Sequence, residues 1–481
     1  MNEEILRIEN AKVLQDKNHV LVDFYFYILQ GEIQGLVYDN LNEMQCIADL
    51  LSGELRASSA RIFFNEVKTN ENKSAQVLKD QVKAITKKSK VFRNVTVKEN
   101  LYAFTSQAGS LVLNMTTFEK STKDLFKQFK IPIDPNKKVI DCSPYECSVL
   151  ELMQAYLLKK KLVLIVNLSD FLSSIEIVQY INLIRILTTH GMSFVIFDFH
   201  VDFLIKYTDR LSIINEGRTV AILDSYECEP EKVYNILHHG TLLKENKDIA
   251  CTLQDQSVLE FCNVVTRLFD HVSFSIKRGE VATVICMENE SYHHFREILT
   301  EGYTLKSGRI CLSGEPYVYR ELSNTIKKGL VIIEENPTKT MLFNNHTALS
   351  NCCFNLMRKM SGPCITQNYE NCIEDSIKEY FDEQDLLLPV SRLEPYKQQK
   401  LVYCKWLFYA PRLVICMKPF SSVDIHMLEV TKNMILEYSR RGISVLILTT
   451  NIADIYTFET KNIFIKDGKV IEENYLKNHL L

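Results

Sequence analysis

Apolar and polar positions divide the chain into two halves built on one plan. Each half opens with an alternating stretch, VLVDFYFYILQGE (residues 20–32) and DHVSFSIKRGE (270–280), the pattern of a strand with one buried face. Later in each half come short, continuous apolar runs: VLIV (163–166) and FVIFD (194–198), then LVICM (413–417) and VLILTT (445–450). Runs of this length are strand-sized, and their lack of alternation means that both faces are covered, which predicts a largely parallel sheet in an α/β fold. Helical periodicity fills the intervals, and a Gly-containing hairpin closes each half.

The halves match landmark by landmark. Gly31-Glu32 recurs as Gly279-Glu280, an offset of 248. Glu99-Asn100 against Ser350-Asn351, KLVLIV against RLVICM, and Gly217-Arg218 against Gly468-Lys469 recur at an offset of 251, which implies a three-residue insertion between the two registers. Self-similarity of this kind fixes the architecture before local detail does. The expected domains are residues 1–228 and 258–481, with a linker at 229–257 where charge is mixed with little periodicity.

Composition then removes several classes. The 481 residues carry 56 basic and 60 acidic side chains, a formal charge of −4, so nothing suggests a general attraction to nucleic acid or anionic lipid. The opening MNEEILRIEN lacks the basic and apolar regions of a secretory signal, so the fourteen cysteines are expected as thiols in a cytosolic protein. No C-x-x-C pair suggests zinc or redox chemistry, and no apolar run approaches the ~20 residues that cross a bilayer. Membrane contact, at most peripheral to the inner face, would go through a partner.

In order and spacing, LRIENAKV, GEIQGLV, LLSGE, VTVKENLYAF and YTDRLSIINEGRTVAIL in the first half resemble the tandem ATP-binding subunits of ribose-, galactose- and xylose-type ABC importers. So do VLEFCNVV, GEVATVI, SGRICLSGEPY, QQKLVYCKWLFYAPRLVI and NIFIKDGKVIEE in the second, and the likeness covers nearly the whole chain. The resemblance implies two ABC-ATPase-like domains, each with a mainly parallel sheet, an antiparallel β part and a helical subdomain. It also implies ATP and Mg²⁺ as ligands and a membrane permease as partner.

The positions that would carry that chemistry are changed. A P-loop wraps phosphates with glycine-rich backbone at a helix N-terminus and completes the site with a Lys and a hydroxyl. Here the glycine positions are Tyr38, Leu41 and Glu43, with Asn40 between the first two, and the Lys and hydroxyl positions are Met44, Gln45 and Cys46. In the second half they are Cys286, Asn289 and Ser291, followed by Tyr292, His293 and His294. A carboxylate such as Glu43, Glu288 or Glu290 about 5 Å from a phosphate would oppose it by about 3 kcal/mol at an effective dielectric of 20. The Walker B carboxylates become Val166-Asn167 and Met417-Lys418, and the Q-loop positions are Lys87 and Glu335. The signature region keeps Ser143 in one half and Gln398-Gln399-Lys400 in the other; the D-loop keeps Asp424; the switch histidine is replaced by Phe199 and Thr450.

Each survivor also has a plain explanation. Asp424 reads first as a helix cap and second as an inter-site contact. His293-His294 lie at a helix start without acidic or thiol partners at a useful spacing, so helix residues are preferred over metal ligands, and His238-His239 in the linker are read likewise. His200 stays open between replacing the switch histidine and being a polar strand end. The Lys-rich segment 73–95 reads as a solvated helix face in preference to a partner-binding one.

Three functions follow: a non-hydrolysing adaptor or regulator bound to a permease or signalling protein, a genuine importer subunit with weak nucleotide binding, or a small-molecule sensor. Under the first, no cofactor and no metal are expected; ATP and Mg²⁺ would return only if the family activity persists.

Overall fold

The computed structural model describes residues 3–15, 18–38, 40–69, 71–103, 115–237, 254–319, 321–356, 373–421, 423, 425–452, 454 and 461–472. The chain forms two compact units, 1–244 and 245–481.

In the first unit the strands are β1 (Glu4–Gln15), β2 (Asn18–Leu29), β3 (Ile33–Val37), β4 (Ser59–Phe64), β5 (Val67–Lys68), β6 (Val82–Ile85), β7 (Leu162–Val166), β8 (Ser193–Phe197), β9 (Arg210–Asn215) and β10 (Arg218–Asp224). They make one sheet in the order β5-β4-β1-β2-β10-β9-β3-β8-β7-β6. Its parallel part runs β9-β3-β8-β7-β6, in register from Ile33↔Phe194 to Ile85↔Ile165. Strands β3, β7 and β8 are buried at every position, which is why their sequences show no alternation. The alternating β1 and β2 pair antiparallel, as their one-sided pattern predicts.

The second unit repeats this with β11 (Gln254–Val265), β12 (Val272–Arg278), β13 (Val281–Cys286), β14 (Ser307–Leu312), β15 (Glu315–Pro316), β16 (Leu330–Ile333), β17 (Leu413–Met417), β18 (Ser444–Thr449), β19 (Lys461–Lys466) and β20 (Lys469–Ile471). An antiparallel sheet β12-β11-β14-β15 stands beside a mainly parallel one, β16-β17-β18-β13-β19-β20. Its core brings β11, β12, β14 and the parallel strands together around Phe261, Phe269, Phe274 and Phe295, whose rings stack or tilt 4.6–6.1 Å apart. Helices Val97–Tyr102, Met115–Phe129 and Pro144–Leu157 in one unit, and Ala348–Leu356, Glu383–Leu387 and Pro395–Tyr409 in the other, form the helical part.

The repeat extends to single hydrogen bonds. The hydroxyl of Ser193 accepts from Gly31 N and donates to Leu29 O, and Ser444 does the same with Gly279 N and Lys277 O. Asn100 and Asn351 donate to the carbonyls of Phe92 and Phe343. Isolated bridges join Thr96 to Lys138 and Thr347 to Pro389. Each of these pairs keeps the offset of 251 or 248 found in the sequence.

The expected linker needs correction at both ends. Pro230–Leu237 is a helix with Val233 and Leu237 buried and the Leu237 carbonyl held by Asn215, and β11 already begins at Gln254. Mixed charge hid two apolar anchors at helical spacing, which suffice once β9 and helix Val201–Tyr207 are there to receive them. Residues 238–253, with His238 and His239, lie outside the described residues. Among the described residues, no helix is long and apolar enough to cross a membrane.

The closing hairpins supply a stability test. Gly217 and Gly468 have φ of +71° and +73°, and a Cβ there would lie 2.3 Å from Val20 O and 1.8 Å from Leu268 O. Gly314 has φ +82° with no atom within 4 Å of the added carbon. Gly217→Ala and Gly468→Ala are expected to lose about 3 kcal/mol or more and Gly314→Ala about 1 kcal/mol, read by denaturant unfolding. Equal losses at all three would contradict the close approach.

Candidate functional site

Open parallel sheets form a crevice at the carboxyl ends of their strands, where the first turn after one strand faces the end of its neighbour. In the first unit Tyr38 leaves the end of β3 fully buried, and its hydroxyl donates to Asn167 Oδ1 at 2.7 Å. Asn167 follows β7 with φ +50°, and its N–H reaches the Phe197 carbonyl at the end of β8. Tyr38 and Asn167, expected from the sequence at the first glycine position of the loop and the second Walker B position, are thus joined by a buried bond.

Helix Leu41–Leu51 begins next to this bond. Asn40 caps it by accepting from Glu43 N at 2.9 Å. Met44 and Cys46 enter the core, burial pushing the Cys46 thiol up to about 11, while Gln45 is exposed and bonds Asp49. Glu43 is buried and accepts from Gly217 N at 2.5 Å, in the turn of the closing hairpin. The sequence-based picture of Glu43 as a carboxylate facing a phosphate is corrected by that bond: the side chain ties the helix start to the hairpin.

The second unit closes the same crevice with other chemistry. Tyr292, at the Lys position of the loop, is buried, and the Lys418 ammonium sits 4.6 Å from its ring centroid. Lys418 also lies 3.6 Å from Glu335, the Q-loop position, and has φ +42° with its N–H bonded to the Leu448 carbonyl. Burial, then the Glu335 charge, raises the Tyr292 phenol, and burial raises the Cys286 thiol. Glu288 precedes helix Asn289–Thr300, accepting from Asp467 N at 3.2 Å and from Ser291 Oγ at 3.0 Å. Burial raises its carboxyl against those two bonds. Asn289 opens the helix and Ser291 is buried against Glu288. Here too a loop carboxylate holds the closing hairpin instead of confronting a ligand, while Glu290 is exposed.

The two histidines separate. His293 is exposed on the helix, and its imidazole is lowered by desolvation and then by the charges of Lys418 and Arg296. His294 is buried, with Nδ1 2.9 Å from Glu297 Oε2 and Nε2 2.7 Å from Thr266 Oγ1, so it pins the helix to β11's end. Among the described residues, no group of three or more His, Cys, Asp or Glu is placed to hold a metal ion.

The remaining survivors are engaged internally. Ser143 caps helix Pro144–Leu157 in a reciprocal box with Glu146. Gln398 donates to Leu393 O, buried Gln399 to Thr431 Oγ1, and Lys400 to Tyr380 O beneath the rings of Tyr380 and Phe381. Asp424 lies outside the described residues; its counterpart Ser173 caps helix Ser174–Thr188 with Glu176. His200 is buried with Nδ1 2.9 Å from Asp198 Oδ1, an oxygen that also accepts from His200 N. The Lys-rich segment is not one helix face, as the sequence suggested, but a helix, the half-buried strand β6 and a loop. Sequence reasoning missed the two crevice pairs. The one signal was that an aromatic replaces a loop residue in both halves while an amide or amine replaces the Walker B carboxylate.

No family model matches the chain. The ribose import ATP-binding protein RbsA of Oceanobacillus iheyensis is 21% identical over 471 residues, covering 97% of this chain and 95% of its own length. RbsA of Bacillus subtilis is 21% identical over 468 residues, covering 95% and 94%. The galactose/methyl galactoside import ATP-binding protein MglA of Fusobacterium nucleatum is 18% identical over 475 residues, covering 97% and 94%. Among solved structures, cbiO1 of Clostridium perfringens, part of the ABC transporter complex cbiONQ, aligns at TM-score 0.43 and 17% identity over 48% of this chain and 93% of its own. With its duplicated α/β units and relatives aligned end to end, the chain is a homologue of the tandem-domain ATP-binding proteins of ribose- and galactose-type ABC importers.

Proposed function

We propose that this chain is a non-hydrolysing homologue of importer ATPases, whose two nucleotide crevices are filled by its own side chains and whose role is to bind a protein partner. The observation that carries the proposal is the pair of closures, Tyr38 on Asn167 and Tyr292 under Lys418. A nucleotide phosphate does not fit where a buried phenol already donates to the strand-end residue. Mg²⁺ does not fit either: the Walker B positions supply apolar Val166 and Met417 followed by an amide and an ammonium, and the nearby Glu335 carboxylate faces Lys418. Hydrolysis has no general base at these positions.

A role at the surface is supported by two aromatics at equivalent places. Phe92 is 49% and Phe343 54% exposed, each in the loop ahead of the helical part and fixed through its carbonyl by Asn100 or Asn351. The end-to-end likeness to importer proteins favours a permease as the partner, and a signalling protein is the second candidate.

Calorimetric titration with Mg-ATP is expected to give no saturable heat in the millimolar range, and phosphate release no rate above buffer. A saturable signal that Met44 or Tyr292 substitutions abolish would overturn the reading. Tyr38→Phe, which removes one buried hydroxyl bond, is expected to cost about 1–2 kcal/mol in urea unfolding, and Tyr38→Ala about 3–5 kcal/mol. Neither variant should gain ATP binding; a Tyr38→Ala protein that is stable and binds ATP would show the tyrosine to be a removable gate.

A further inference from the structure

The units differ at the opposite, amino-terminal edge of their parallel strands. In the first, the Lys160 ammonium reaches back to the carbonyls of Lys79 and Asp80 at 2.8 and 2.9 Å, closing the notch between helix Glu71–Gln81 and the start of β7. At the offset of 251 the second unit has Pro411, which has no side-chain donor to repeat this. A cleft of about 400 Å³ lies there, its lining including Glu315, Lys327, Lys328, Tyr409 and Arg412. Arg412 enters it across Gly329, where φ is +85° and an added Cβ would come within 3.0 Å of the Arg412 Cγ. The glycine is therefore needed both for the turn and for the path of the arginine stem.

The charge of this lining is one-sided. Lys327, Lys328 and Arg412 are exposed, and among the described residues none of them forms an ion pair, whereas Lys79 in the first unit pairs with Glu54. Glu315 is the one carboxylate in the lining. The carboxyl end of the short helix Leu322–Lys327 adds at most about half a negative charge, too little to offset the surplus. The volume exceeds what a bare oxyanion needs and matches the lower range of small-ligand pockets, about 300–1,000 Å³. Leu312, Pro316 and Pro411 give it an apolar wall.

We propose that this cleft binds a small phosphorylated molecule about the size of one sugar ring, the phosphate on Arg412 and the two lysines and the neutral body against the apolar wall. The site is separate from the crevices and does not depend on how they are read. Full-length protein titrated with glucose 6-phosphate and with ribose 5-phosphate should give saturable binding to at least one, with Kd below about 1 mM. Inorganic phosphate should bind at least about tenfold more weakly and glucose not at all. Lys328→Ala with Arg412→Ala, both exposed, should weaken binding about tenfold or more at unchanged melting temperature. Absence of binding to both sugar phosphates, or equal binding in the double variant, would overturn the assignment; so would inorganic phosphate binding as tightly as the sugar phosphates. Any ATP heat lost in the double variant but kept in Tyr292 variants belongs to this cleft and leaves the crevice proposal standing.

Discussion

Each unit turns on one residue held in the left-handed conformation at the end of a buried strand. Asn167 and Lys418 accept a conformation that costs a side-chain-bearing residue about 1–2 kcal/mol, and in return a backbone bond to the neighbouring strand locks them in place. That geometry delivers their side chains into the crevice, where a tyrosine meets them, Tyr38 from the end of β3 and Tyr292 from the first turn of helix Asn289–Thr300. A buried tyrosine needs a partner for its hydroxyl or a charge for its face. The first unit answers with an amide and the second with an ammonium, so one backbone solution supports two chemistries.

The helix starts beside these crevices are satisfied from within. Asn40 caps one, and Glu43 and Glu288 reach from the loop to Gly217 N and Asp467 N in the closing hairpins. A helix N-terminus attracts negative charge, and here the charge comes from the chain. The loop, the helix and the last hairpin of each unit become one body without a ligand to join them.

Much of this architecture was readable in the sequence. Continuous apolar runs marked β7, β8, β17 and β18, and the two offsets anticipated a duplication that survives down to Ser193 and Ser444. The residues standing at the loop and strand-end positions were equally plain; the partners they take were not. Glu43 looked like a source of repulsion because its partner is 174 residues away, in a hairpin that only the folded sheet brings near. Tyr38 and Asn167 are 129 residues apart, and no local pattern links an aromatic in one loop to an amide in another. The helix Pro230–Leu237 was hidden for a related reason: its pattern is weak until β9 and helix Val201–Tyr207 offer a place for Val233 and Leu237.

The Tyr38 bond has an evolutionary consequence. Returning a glycine to that position would first remove an aromatic ring from a packed core, at a cost of about 3–5 kcal/mol, and would strand the Asn167 amide. Under the proposed reading, phosphate could repay none of this until further glycines, a lysine and two carboxylates were also present. Intermediates along that route would be less stable than the present protein and no better at holding nucleotide. Under the proposed reading, such a closure works as a ratchet: surfaces are free to change, while the filled crevice has no gradual path to a nucleotide site.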